Sequence, residues 1–179
     1  NFSGLNYLQT VSCKNNKLTS LNFTGVTDLN RVECENNLLT SLDVSGHKNL
    51  YWLYCSNNQI SNLLVDGAPL DHLSCDNNKI SSLNLSTVTN LIELECSKNL
   101  LTTLDVSGFT RIQSIYCSYN QLSNLDISGL GTLGTLDCSF NQLKGPNAFK
   151  FSGTDKLYRL NCSNNQLESF ILTNSIIGF

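Results

Sequence analysis

The stretch that decides the fold is LIELECSKNLLTTLDVSG, residues 91–108. Leu91, Leu94, Cys96, Asn99, Leu101, Leu104 and Val106 stand in it at spacings that recur along the whole chain. The cysteines sit at Cys13, Cys34, Cys55, Cys75, Cys96, Cys117, Cys138 and Cys162, separated by 21, 21, 20, 21, 21, 21 and 24 residues. Three residues after each stands an asparagine: Asn16, Asn37, Asn58, Asn78, Asn99, Asn120, Asn141 and Asn165. Two before each lies an aliphatic, from Val11 to Leu160. Further aliphatic columns lie five before, from Leu8 to Leu157, and five after, from Leu18 to Leu167. An internal repeat this regular reads as a solenoid of eight units of about 21 residues.

Around each cysteine the order is apolar, polar, cysteine. That period of two turns the aliphatic and the thiol inward and the residue between them outward. A strand so short needs neighbours. Eight of them stacked at about 4.8 Å make a continuous parallel sheet. The Leu-x-x-Leu-x-Val tail, for example Leu39, Leu42 and Val44, supplies the opposite wall of the core. The asparagine column has a mechanical reason. The chain bends after each strand and strips backbone groups of sheet partners, and a carboxamide both donates and accepts. The cysteine column reads as small buried hydrophobes. Parallel side chains at the strand spacing hold Cβ atoms beyond the usual ~3.5–4.5 Å of a disulfide. Eight free, slow-reacting thiols are therefore expected, with no metal role, since no histidine or second cysteine stands beside them at ligand spacing.

These columns resemble the leucine-rich repeat, and units such as LYWLYCSNNQISNL (residues 50–63) resemble the 21-residue, cysteine-ladder class of the bacterial internalin family and related exported proteins. The resemblance implies an α/β-class solenoid with little helix. It would be a right-handed curved coil with its parallel sheet on the concave face and loops, short 3-10 turns or extended segments on the convex face. It also implies an extracellular or cell-surface location and adhesion or partner binding.

Bulk properties bound the function. Hydrophobic residues make up 40% of the 179-residue chain, charged ones 14%, and the formal net charge is −3. No basic run supplies the footprint of a nucleic-acid binder. No apolar stretch approaches the ~18 residues of a membrane-spanning helix. No nucleophile-elbow, phosphate-loop, zinc-protease or EF-hand motif is present, so no enzyme, cofactor or metal is expected. The reading is one domain over 1–179, a piece of a longer chain. Phe2, Ser3 and Gly4 match Val106, Ser107 and Gly108, so it begins mid-unit. It ends mid-unit beyond Leu167, Phe170 and Leu172, at Ile176, Ile177 and Phe179. Two copies break the period, at Gly67-Ala68-Pro69 and at Lys144-Gly145-Pro146-Asn147. Both irregularities are expected in loops away from the strands.

The outward strand residues form the candidate binding face. Coil three presents Tyr51, Trp52 and Tyr54, including the only tryptophan. Coil two contributes Arg31 and Glu33, coil four His72 and Asp76, coil five Glu93 and Glu95, and coil six Tyr116. Aromatic anchors flanked by carboxylates suit a protein or carbohydrate on a cell surface. Lateral packing between strands is the competing reading. Two other functions remain open: a spacer, with end-to-end self-association through uncapped repeats, and a substrate-positioning domain of a larger extracellular enzyme.

Overall fold

The computed structural model describes residues 2 and 5–169. The expectations for Ser3, Gly4, Phe170, Leu172, Ile176, Ile177 and Phe179 lie outside them. Eight three-residue strands carry the architecture: β1 (Thr10–Ser12), β2 (Arg31–Glu33), β4 (Trp52–Tyr54), β6 (His72–Ser74), β7 (Glu93–Glu95), β8 (Ser114–Tyr116), β10 (Thr135–Asp137) and β12 (Arg159–Asn161). They form one parallel sheet in chain order, β1-β2-β4-β6-β7-β8-β10-β12. The register follows the repeat, as in Arg31↔Trp52↔His72↔Glu93. The ladder continues past each strand, because the cysteine N–H donates to the next coil: Cys96 N to Tyr116 O at 2.8 Å, Cys117 N to Asp137 O at 2.8 Å.

The opposite wall pairs locally. β3 (Ser41–Asp43) runs parallel to β5 (Asn62–Leu64), and β9 (Leu125–Asp126) to β11 (Phe149–Lys150). No helix or 3-10 turn forms among the described residues. Between the two walls lies one apolar cluster. Leu29, Leu50, Leu70, Leu91, Ile112 and Leu133 are wholly buried in it, as are Val32, Leu53, Leu94, Ile115 and Leu136. Each such side chain contributes about 1.5–3 kcal/mol when fully removed from water.

All eight cysteines are free. Six are buried, and burial pushes the thiols of Cys55, Cys75, Cys96 and Cys117 well up and that of Cys138 to about 12. Cys13 and Cys162 are only half-buried, where the sequence reading expected the whole column to be buried. Each has a described strand on one side only, so less surface covers it.

The carboxamide column stitches adjacent coils. Asn99 Nδ2 donates to Cys75 O, Cys96 O and Ser97 O at 3.0, 3.2 and 3.2 Å, while its Oδ1 accepts from Ile80 N at 3.0 Å. Asn120 and Asn141 repeat the pattern one and two coils on. The residue before each of these asparagines takes a positive φ of 52–57°, at Asn15, Asn36, Asn57, Asn77, Lys98, Tyr119, Phe140 and Asn164. Asparagine tolerates that conformation; lysine, tyrosine and phenylalanine do so at a cost of roughly 1 kcal/mol or more.

Both irregular connections stay clear of the eight-stranded sheet. At Gly67 (φ 74°) the shortened turn closes through Ala68 N to Val65 O at 3.1 Å. In the seventh coil the added residues turn at Gly145, and the chain then buries Ala148 and Phe149 and rejoins the opposite wall through Leu125 N to Ala148 O at 2.7 Å.

Candidate functional site

Alternation along each strand sends one residue into the core and its neighbours outward, so the outer face of the sheet is built in rows across coils. The row just before the cysteines runs Glu33↔Tyr54↔Ser74↔Glu95↔Tyr116. All ten of the proposed contact residues are half-buried. They lean on one another across strands more than free-standing anchors would.

Three groupings emerge. At coils one to three the carboxylates are neutralised within the chain. Lys14 Nζ lies 3.0 Å from Glu33 Oε2 and 3.3 Å from Glu35 Oε1, and an Arg31 terminal nitrogen lies 2.6 Å from Glu33 Oε1. Ser12 Oγ donates to Glu33 Oε2 at 2.9 Å. The Arg31 and then the Lys14 hydrogen bonds hold the Glu33 carboxyl down at about 2. The Arg31 guanidinium also lies 4.7 Å above the Tyr54 ring. In coil three, Tyr51 and Trp52 meet edge to face with centroids 5.8 Å apart.

At coils four to six the balance differs. His72 Nδ1 lies 3.2 Å from Glu93 Oε2. Asp76 Oδ1 accepts the Ser97 N–H at 2.6 Å, and Ser56 Oγ lies 2.8 Å from Ser74 Oγ on the floor between Tyr54 and Asp76. Burial, and after it the nearby Glu95, push the Asp76 carboxyl up to about 6 against the opposing Ser97 hydrogen bond and Lys98. The Glu95 carboxylate makes no hydrogen bond or ion pair among the described residues, while its backbone carbonyl accepts the Cys75 N–H at 2.8 Å. Tyr116 closes the row beside it. No group of three histidine, cysteine or acidic side chains that could hold a metal ion occurs among the described residues.

Sequence reasoning missed a second set of side chains. Tyr119 and Phe140 are exposed on the turn after the strands and stack with centroids 4.2 Å apart and planes 9° from parallel. Lys98 Nζ lies 6.0 Å from the Tyr119 ring. The signal was available: these three residues interrupt the asparagine column that precedes the carboxamide ladder, in three consecutive coils. Tyr158 is also missed. Its ring lies across Gly134, where a Cβ would come within 2.6 Å of Cε1, and its hydroxyl is 3.3 Å from Thr135 Oγ1.

No family model and no curated protein matches the sequence. Solved structures do. The functional domain of InlJ from Listeria monocytogenes, which includes a cysteine ladder, is 31% identical over 93% of this chain and 37% of that one, with a TM-score of 0.86. The leucine-rich repeat domain of APL1B is 25% identical over 97% of this chain and 52% of that one, with a TM-score of 0.80. A chain from the octameric complex of Latrophilin 3, Unc5D and FLRT2, in which FLRT2 is the leucine-rich repeat component, is 25% identical over 90% of this chain and 55% of its own, with a TM-score of 0.73. The chain thus spans between a third and a little over half of the length of these proteins. Its fold is a helix-poor leucine-rich repeat solenoid similar to the cysteine-ladder domain of InlJ.

Proposed function

We propose that this chain is a non-enzymatic recognition module of an exported bacterial surface protein, and that it binds a protein partner across the outer face of its eight-stranded sheet. The observation that carries this reading is the uneven chemistry of that face. Trp52, Tyr51 and Tyr54 cluster on one coil, and Asp76, Glu93 and Glu95 gather beside them. A preformed face loses little conformational freedom on binding, and aromatic side chains dominate contact energetics. The likeness to the InlJ functional domain supports an exported bacterial setting, and the FLRT2-containing complex shows a similar fold within a protein assembly.

The half-burial of the face favours a second reading, in which the aromatics serve strand packing and the solenoid is a spacer. The double substitution Trp52→Ala/Tyr54→Ala separates them. Purified protein is screened against an array of cell-surface ectodomains and a glycan array, with thermal unfolding in parallel. The recognition reading expects specific ectodomain capture, lost in the double variant at unchanged melting temperature. Glycan capture alone would replace the protein partner with a carbohydrate. Capture that survives the substitution would move the site off this face. A lowered melting temperature with no capture by either protein would establish the spacer.

A further inference from the structure

One arrangement of side chains occurs twice on the outer face, three coils apart, with its charges changed. In the first copy, Glu33 on β2 pairs in register with Tyr54 on β4. Ser12 and Lys14 reach Glu33 from the preceding coil, and Arg31 reaches it from two residues back. Arg31 also covers the Tyr54 ring. In the second copy, Glu95 on β7 pairs in register with Tyr116 on β8. Ser74 stands in the place of Ser12. Where the first copy has Lys14 the second has Asp76, and where the first has Arg31 the second has Glu93. Both cationic positions are carboxylates.

The consequences follow from electrostatics. In the first copy two cations face Glu33 and Glu35, so the group is self-neutralised. In the second, Asp76 feels the Glu95 charge and Glu93 stands two residues before Glu95 on the same strand face, with His72 against Glu93 and Lys98 in the following turn as the neighbouring basic groups. Burial first, and the Glu95 charge after it, raise the Asp76 carboxyl. The aromatic partner is retained: Tyr116 lies beside Glu95 as Tyr54 lies beside Glu33. Tyr54 and Tyr116 stand three strand spacings apart, about 14 Å, with the small, buried Ser74 beside Tyr54 and Glu95 beside Tyr116 between them. Over Ser74 this leaves an opening of two strand spacings, about 10 Å, between Tyr54 and Glu95, wide enough for one extended side chain.

We propose that the opening over Ser74, walled by Tyr54 on one side and by Glu95, backed by Tyr116, on the other, and rimmed by Asp76 and Glu93, seats an arginine or lysine side chain presented by an extended basic segment of a protein partner. This rests on the recognition reading above and names the chemistry of its partner. The first copy shows the bound geometry from within the chain: a guanidinium on a tyrosine face, hydrogen-bonded to the adjacent glutamate. A cation over an aromatic ring beside carboxylates gains both from the ring quadrupole and from charge-assisted hydrogen bonds. In the second copy the cation comes from outside.

Trp52, the chain's only tryptophan, lies on the same face beside His72 and reports on occupancy through its fluorescence. The probe is an amidated tetra-arginine peptide, with a tetra-glutamate peptide as the opposite charge. Tetra-arginine is expected to change Trp52 fluorescence saturably, and tetra-glutamate to leave it unchanged. Glu93→Arg rebuilds the first copy and fills the seat from within, so it should weaken tetra-arginine binding about tenfold or more, as should Tyr116→Ala. Asp105→Asn, on the opposite wall, removes one charge elsewhere and should alter affinity by less than about twofold. Retention of the melting temperature in Glu93→Arg confirms an intact fold. Equal weakening by Asp105→Asn and Glu95→Gln would reduce the effect to diffuse attraction and overturn the seat. If tetra-arginine fails to bind while an ectodomain is captured in a Trp52- and Tyr54-dependent way, the seat is wrong and the recognition reading stands. If neither binds, both fall.

Discussion

Asn99 does with one carboxamide what no other side chain of its size can do. It accepts from Ile80 N and donates to the carbonyls of Cys75, Cys96 and Ser97, so it closes backbone groups of two coils at once. Asn99→Ala leaves the buried Ile80 N–H without an acceptor, while the carbonyls of Cys75, Cys96 and Ser97 keep Asn78 Nδ2, Asn120 Nδ2 and Asn77 N as donors. The change should cost about 2 kcal/mol, read as a lower urea midpoint. Asn99→Asp keeps the acceptor, loses the donors and sets a carboxylate against carbonyl oxygens. It should be at least as damaging at neutral pH and recover part of the loss in acid; an acid-insensitive deficit would contradict this account. Asp76 behaves in the opposite sense to a salt-bridged acid. Its carboxyl is held at about 6, above the 3.8 of an unhindered aspartate, by burial first and Glu95 second. The folded state therefore holds the proton more tightly than the unfolded chain. Its contribution to stability is complete below 3.8 and is lost as pH rises through about 6. Asp76→Asn can still accept from Ser97 N, and it should be more stable than the parent at neutral pH by about 1 kcal/mol, after discounting for partial exposure. The gap should close below about pH 4. Chemical denaturation at the two pH values reads it directly. An arginine-seating role explains why the less stable aspartate stands there, since binding sites retain charges that folding alone would discard.

At the scale of the single coil, the strand and the turn after it have separate duties. The strand's inward residues make the core, and its thiols follow their cover. Cys13 and Cys162 should react first with an aromatic disulfide reagent in native protein, while the other six wait for unfolding. The total should be eight without reductant, and a native count of eight fast thiols would mean that the ladder is open to water. The inward columns were legible in the sequence because period-two alternation and a fixed 21-residue spacing reflect geometry that every coil must share. The asparagine bonding was legible for the same reason, since a bend that strips backbone groups recurs in each unit. The left-handed position before each carboxamide was not, because Lys98, Tyr119 and Phe140 break its asparagine column. In those three coils mutual contact accompanies the strained backbone: the Tyr119–Phe140 stack at 4.2 Å and Lys98 beside it. The half-burial of Trp52, Tyr54 and Tyr116 was equally hidden. It depends on which side chain stands one coil away and how the two lean, and a one-coil pattern carries no record of that. The duplicated glutamate–tyrosine pair could be read from the sequence only once rows were compared three coils apart, with hydrogen bonds identifying which cation serves which acid.

For the whole molecule, coils touch their neighbours and little else, so stability should approach a sum of similar units and the interfaces between them. Removal of the 21 residues Leu91–Arg111 joins Asn90 to Ile112 and returns every column to register. Leu70 and Val88 then face Ile112 and Leu130 through the same kind of contact that coil five had provided. The shortened chain should keep a β-rich circular dichroism spectrum and a cooperative transition. Its denaturant slope should fall by about one-eighth, in proportion to the surface no longer buried. Removal of the 11 residues Leu91–Leu101 is a smaller excision but a worse one, because it brings Thr102 to the place of an inward leucine and deletes Asn99 without replacing it. That chain should fail to fold. The 21-residue deletion also takes out Glu93 and Glu95, so it should stay folded while its Trp52 no longer responds to tetra-arginine. If the in-register deletion unfolds the chain as completely as the out-of-register one, stability is not additive over coils, and no single coil can be credited with a local function such as the arginine seat.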